Sequence, residues 1–344
     1  DAQGTNGCVP QMVGQRWGGS EDPKTSQNPN ISPVVCDYYR FTGDRKFLAR
    51  SYPRLKGMYQ WFLKNRDPNA SGLFAIGHES LSLNQNISEY GRDNGPTHHG
   101  EIPAMRGVPG IEYRQERLYL LDILACQARL AEDLAFMAKE LGDTEGAAHF
   151  TAEYERVRAW VNKNMWDEQT KFYYTVVRSD GRKVMRRLNA AFWMLWAGIP
   201  DQRQKDELVK ALFDPQQFFA PIPIPQLALN DPAFNPKVGH WGDGHSWPID
   251  ASTAFDGLLR YGEWDKAAEF ARHYNQGVFK AIEKTYQPSE WYHSSGLAHG
   301  CRIMGTAGCL PLTFQRYLRD HRAGRAAEEW SRFAPTPLFR KIEK

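Results

Sequence analysis

Apolar positions along the chain recur at helical spacing, in segments separated by one repeated joint: a Gly, then an Asp, then a new amphipathic run. The joint is read at Thr42-Gly43-Asp44, Leu141-Gly142-Asp143, Gly198-Ile199-Pro200-Asp201 and Gly262-Glu263-Trp264-Asp265. Gly takes the left-handed conformation that closes one helix, and Asp caps the exposed N–H groups of the next. A connection this short makes the two helices antiparallel neighbours. The pattern predicts mostly apolar or aromatic helices over 31–42, 112–141, 187–197 and 248–261. More charged helices are predicted over 44–65, 143–164, 201–213 and 265–283, and a final apolar segment near 303–319 has no clear partner. Such a series of hairpins places one helix inside and one outside. Closed on itself it is an all-α (α/α) toroid, and the expectation is a single catalytic barrel spanning 1–344. An open solenoid is disfavoured by the irregular period and the long connections between hairpins.

Segments 67–111 and 214–247 are rich in Gly, Pro, His and Asn and lack periodicity. Long structureless stretches inside a compact domain are usually functional. Both follow an outer helix and precede an inner one, so they gather at one mouth of the ring.

Composition narrows the classes of function. With 43 basic against 40 acidic residues the formal charge is +3. No basic stripe interrupts this balance, so nucleic acid is not the expected partner. No run approaches the roughly 20 apolar residues of a membrane span. The 5 Cys are scattered without a CxxC pair, so neither a disulfide scaffold nor a zinc site is expected, although Cys301 and Cys309 could meet. N-x-S sequons at Asn30, Asn69 and Asn86 do not fix the compartment. The 11 Trp, 15 Tyr and 18 Phe supply faces that stack on pyranose rings, but they fill helical cores equally well.

Three strings carry candidate chemistry. Glu89-Tyr90-Gly91-Arg92-Asp93-Asn94-Gly95-Pro96, followed by His98 and His99, sets two carboxylates and an Arg in a Gly-rich loop. Arg92 there would hold one carboxylate ionised while burial keeps the other protonated. A solvated Asp-Asn-Gly turn is the plainer reading of the same string. His240-Trp241-Gly242-Asp243-Gly244-His245-Ser246-Trp247-Pro248 reads as a sugar-contacting loop, or as aromatics plugging the ring. Ser289-Glu290-Trp291-Tyr292-His293-Ser294-Ser295-Gly296 holds a lone Glu among aromatics, which can act as a base on water or simply be surface. Their shared place before inner helices strengthens all three. Glycoside hydrolysis needs two carboxyl groups across a bond, and a gap of roughly 6.5–9.5 Å leaves room for a water and gives inversion. Asp93 and Glu290 would have to meet from different hairpins. Histidines 98, 99, 240, 245, 293 and 299 all fall in these loops, but no HExxH pair is present and no metal is expected.

These strings resemble the (α/α)6-barrel glycosidases of glycoside hydrolase family 63, which include processing α-glucosidases and mannosylglycerate and glucosylglycerate hydrolases, with trehalases as neighbours. The family's acid loop, about E-S-G-x-D-N-S-P, is similar to Glu89 to Pro96, which makes Asp93 the general acid by resemblance. Its base segment, E-Y-Y-N-P-x-T-G, is matched loosely and one residue short by Glu290 to Gly296, which makes Glu290 the base. Ser26-Gln27-Asn28-Pro29 resembles the family's S/T-Q-P-P entry to an inner helix. Trp241 to Pro248 resembles its W-R-G-P-x-W-P loop, with one extra residue and no Arg. The resemblance implies substrate contacts at Gln27, Trp241, His245, Trp247 and Trp291, with Glu89 and Arg92 behind Asp93.

Family members begin with about three further helices carrying W-D-x-A-F, whereas Gly7-Cys8-Val9-Pro10-Gln11-Met12-Val13-Gly14 resembles a later stretch. The hairpins read here are also fewer than the six of the family's ring. The expectation is a fragment, or one chain of a two-piece toroid, completed by an N-terminal segment or a second chain. The expected activity is inverting hydrolysis that releases a terminal α-linked glucose or mannose from a small glycoside, without a cofactor. Two alternatives stay open: a sugar 2-epimerase using a pair such as His245 and His299, and a glycan-binding toroid without catalysis. Terpenoid-type toroids would need DDxxD or DxDD clusters, which are absent from the sequence.

Overall fold

The computed structural model describes residues 30–67, 69–75, 118–236, 244–302 and 305–331. The chain divides into two compact units, 1–186 and 187–344.

In the first unit, α1 (Ser32–Thr42) and α2 (Arg45–Arg66) form one hairpin and α3 (Leu121–Leu141) and α4 (Thr144–Asn164) another. The joints behave as the local chemistry requires. Gly43 and Gly142 sit at φ +70° and +85°, and the carboxylates of Asp44 and Asp143 accept from the N–H groups of Phe47 and Gly146. Of the apolar run predicted from 112, the described part starts as strand and turns helical at Leu121, because β1 (Leu118–Tyr119) pairs with β4 (Val176–Val177). Between α4 and β4, β2 (Trp166–Asp167) pairs with β3 (Phe172–Tyr173).

Helix α3 is the core of this unit, buried continuously from Leu121 to Ala138. A helix enclosed on every side must satisfy its polar groups internally. Gln127 does so by donating to the Gly72 carbonyl (2.7 Å) and accepting from the Phe74 N–H (2.8 Å), which ties the chain after α2 to α3. Arg129, 3% exposed, places Nε 3.1 Å from Asp133 Oδ2 and 3.9 Å from Glu132 Oε2. The Ser32 hydroxyl donates to the same Asp133 oxygen at 2.9 Å, linking α1 to α3. Burial opposes the guanidinium charge, but Asp133 and Glu132 outweigh it and hold Arg129 protonated.

In the second unit a 3-10 turn, Asn189–Phe192, leads into α5 (Trp193–Ala197), followed by α6 (Gln202–Leu212), α7 (Pro248–Arg260), α8 (Trp264–Thr285), α9 (Gly305–Arg322) and α10 (Ala326–Trp330). The short α10 follows the predicted final segment and packs back on α9, with Trp330 edge-on to Tyr317. Gly198 takes φ +68°, and Asp201 makes a full capping box with Gln204. The fourth joint departs from the reading. Gly262 is left-handed (φ +73°), but the N-cap of α8 is Glu263, and Asp265 lies in the first turn. The Glu263 carboxylate is engaged by the buried Lys205 of α6, and Asp265 meets His321 of α9 at 2.9 Å.

The α5–α7 pair shows why small residues stand where they do. A Cβ at Gly257 would lie 2.6 Å from Leu195 Cβ, so the two helices approach at that glycine. Asp250, 2% exposed in the first turn of α7, accepts from Trp193 Nε1 (2.9 Å) and Asn189 Nδ2 (3.2 Å). Three short strands complete the unit: β5 (His245–Ser246), β6 (Ser289–His293) and β7 (Leu297–Arg302). They form one antiparallel sheet in that order. Cys309 is a free, exposed thiol, and the Cys301 side chain lies outside the described residues. No helix among the described residues is long and apolar enough to cross a membrane.

Candidate active site

Two of the three sequence strings meet in this sheet. β5 ends immediately before α7, and the β6–β7 hairpin lies between α8 and α9. His245 pairs with His293 and Ser246 with Tyr292, so backbone hydrogen bonding, and not proximity in sequence, brings the Trp247 and Glu290 segments together. The Ser294 N–H donates to the Gly244 carbonyl at 2.7 Å, and the Ser246 hydroxyl to the Pro223 carbonyl at 2.6 Å. Buried Tyr292 points the other way, and its hydroxyl accepts from the Ser289 N–H at 3.2 Å. Alternation along β6 therefore puts Trp291 and His293 on one face and Tyr292 on the other.

Trp291 sits at the centre of a ring stack. From β5 the His245 imidazole lies 3.8 Å away at 28°, and from β7 the His299 ring lies 4.7 Å away at 10°. β6 is the middle strand, so the two imidazoles reach the indole from opposite flanks. Trp247, 9% exposed, packs with Trp291, 3% exposed. His245 is 2% exposed, whereas His299 is exposed and Glu290 half-buried. The solvent-facing part of the assembly is thus His299 and the Glu290 carboxylate, backed by a buried aromatic wall. Nothing in the strings foretold that both flanks of the Trp291 indole would carry imidazoles. The alternation Trp291-x-His293 followed by Gly296 marks a hairpin, but it does not name the partner strand that brings His245.

His293 is tied into the turn that follows it. Its Nδ1 accepts from the Ser295 N–H at 3.2 Å and lies 2.7 Å from the Ser295 hydroxyl. Burial, and then the nearby charge of His299, holds its pKa below the ordinary histidine range, while the Pro236 carbonyl works in the other direction. His245 on β5 is the third imidazole of the group, with its ring 6.0 Å from that of His293. A histidine that protonates less readily folded than unfolded costs stability as pH falls through the unfolded value, about 6.5. Between neutrality and about pH 5, His293→Gln should therefore lose melting temperature less steeply than the parent protein. Parallel curves in calorimetric scans would remove His293 as a source of the slope.

Of the other sequence-derived site residues, Gln27, Glu89, Arg92, Asp93 and Trp241 lie outside the described residues. Among the described residues no three His, Cys, Asp or Glu side chains group to hold a metal ion, the histidines around Trp291 included.

Paired helices of this kind are the scaffold of the (α/α)6 toroid fold shared by family 63 glycoside hydrolases and trehalases. The model of the mannosylglycerate hydrolase MGH1-like glycoside hydrolase domain matches residues 1–296, and the chain belongs to that family. The fold is that of a family 63 mannosylglycerate hydrolase from Thermus thermophilus, solved with Tris and D-glycerate: TM-score 0.67, 19% identity, covering 91% of this chain and 85% of that one. Among curated sequences, the mannosylglycerate hydrolase of Rubrobacter radiotolerans is 21% identical, the match covering 91% of this chain and 83% of that protein. The cytosolic neutral trehalase of Kluyveromyces lactis is 26% identical over 155 residues, 42% of this chain, and the match spans only 21% of the trehalase.

Proposed function

We propose that the chain is an inverting glycoside hydrolase that releases a terminal α-linked mannose or glucose from a small glycoside. A glycosylglycerate is the first substrate to try, since similar proteins carry the name mannosylglycerate hydrolase and one was solved with D-glycerate. In this reading Asp93, protonated, gives its proton to the leaving glycosidic oxygen. Glu290 takes a proton from a water on the opposite face of the sugar, whose oxygen attacks the anomeric carbon as the bond to the leaving group breaks. Glu89 and Arg92 would set the protonation of Asp93. Gln27, Trp241, His245, Trp247 and Trp291 would shape the sugar pocket.

The observation that carries the reading is Glu290 itself: a half-buried carboxylate on a hairpin beside an aromatic wall, in a chain of a glycoside hydrolase family. Such a group keeps contact with water while its neighbours fix where that water sits. The epimerase alternative gains less support, because His245 is almost fully enclosed and stacked on Trp291.

The test is a panel of mannosylglycerate, glucosylglycerate, trehalose and aryl α-glycosides, with proton NMR of the first-formed sugar. Turnover giving the β-anomer first is expected. Release of the α-anomer would exclude inversion, and the absence of turnover across the panel, with binding retained in calorimetry, would favour a glycan-binding role.

A further inference from the structure

The β6–β7 pairing is irregular just where Glu290 lies. Ser289 pairs with Arg302 and Trp291 with His299, so one residue of β6, Glu290, faces two of β7, Gly300 and Cys301. This is a β-bulge, and its first residue, Gly300, has φ +78°, the left-handed conformation that such bulges assign to glycine. Bulges bend a strand and re-aim the side chain opposite.

The space at Gly300 makes the consequence specific. A Cβ there would lie 2.7 Å from Glu290 Oε2, 2.8 Å from Glu290 Cβ and 2.7 Å from Trp291 Nε1. The carboxylate end could swing aside, but the Glu290 Cβ moves only with its backbone. The Trp291 indole is held between the imidazoles of His245 and His299. Glu290 is therefore the group that must give way. By contrast, Gly296 at the tip of the same hairpin has φ +93° and nothing within 4 Å of an added Cβ, so it serves the turn alone.

We infer that Gly300 is a positioning residue for the reaction: the bulge it forms sets the Glu290 carboxylate at its working place over the β7 backbone. This rests on Glu290 acting as the base. Displacing a base by roughly 1 Å costs on the order of 10²-fold in rate.

The experiment compares Gly300→Ala, Glu290→Gln and the double variant with the wild-type protein, on whichever glycoside of the panel is turned over fastest. Gly300→Ala should lower kcat by on the order of 10²-fold, with KM changed by less than about threefold, and should shift the low-pH limb of the rate profile that reports the base. In the Glu290→Gln background it should cost nothing further, because the group it positions is gone. Gly300→Asn, which tolerates the left-handed backbone but still carries a Cβ, should show the same kcat loss if the alanine variant fails to fold. A Gly300→Ala enzyme within about twofold of wild type, or a loss that multiplies with that of Glu290→Gln, overturns the role of Gly300 and leaves Glu290 as the base. Near-normal turnover in Glu290→Gln itself is a separate result, which removes the base assignment and the positioning role with it.

Discussion

Glu290→Gln is expected to lower kcat by about 10²–10⁴-fold while leaving KM and the melting temperature close to those of the parent protein. The amide keeps the length and shape of the carboxylate, so the bulged pairing of β6 with β7 and the close approach to Gly300 survive. Under the proposed mechanism, what is lost is the ability to accept a proton from water, a capacity used only as the reaction proceeds, so the loss falls on kcat. A substrate-contact role would read out differently, as a raised KM with kcat retained. Asp93→Asn is the companion variant: under the proposed mechanism it removes the proton given to the leaving oxygen, and its deficit should shrink on aryl glycosides whose leaving group departs without protonation. Turnover of either variant near the wild-type rate would end the two-carboxyl account.

The largest expected effect on stability lies in the first unit. Arg129→Met should cost about 3–5 kcal/mol, the range for leaving a buried charge without its partner. Asp133 and Glu132, both 1% exposed, share this guanidinium, and the neutral Ser32 hydroxyl on Asp133 cannot supply its charge. Methionine fills much of the volume, so the loss reports charge more than cavity. Urea unfolding at neutral pH measures it directly. A variant within about 1 kcal/mol of the parent would mean that the acids are stabilised without Arg129.

How far the fold could be read from sequence depended on the range of the interactions that set it. The first three joints were legible because a left-handed glycine and an Asp cap act within a few residues, and the structure has them at Gly43, Gly142 and Gly198. The fourth was misread because its outcome is decided at a distance. Lys205 on α6 claims Glu263, and His321 on α9 claims Asp265. The same holds for the start of α3, where Leu118 and Tyr119 have helical spacing but find strand partners at Val176 and Val177.

The sequence alone determined the family, the all-helical scaffold and the candidacy of Glu290, because hydrophobic period, caps and a carboxylate among aromatics are written in consecutive residues. Only the tertiary structure decided that Trp291 is stacked by imidazoles from both neighbouring strands and that Glu290 stands opposite a glycine bulge. Those arrangements depend on strand register, and a shift of one residue in pairing would turn every side chain to the other face. Register is fixed by contacts between segments far apart in the chain, which no local pattern records.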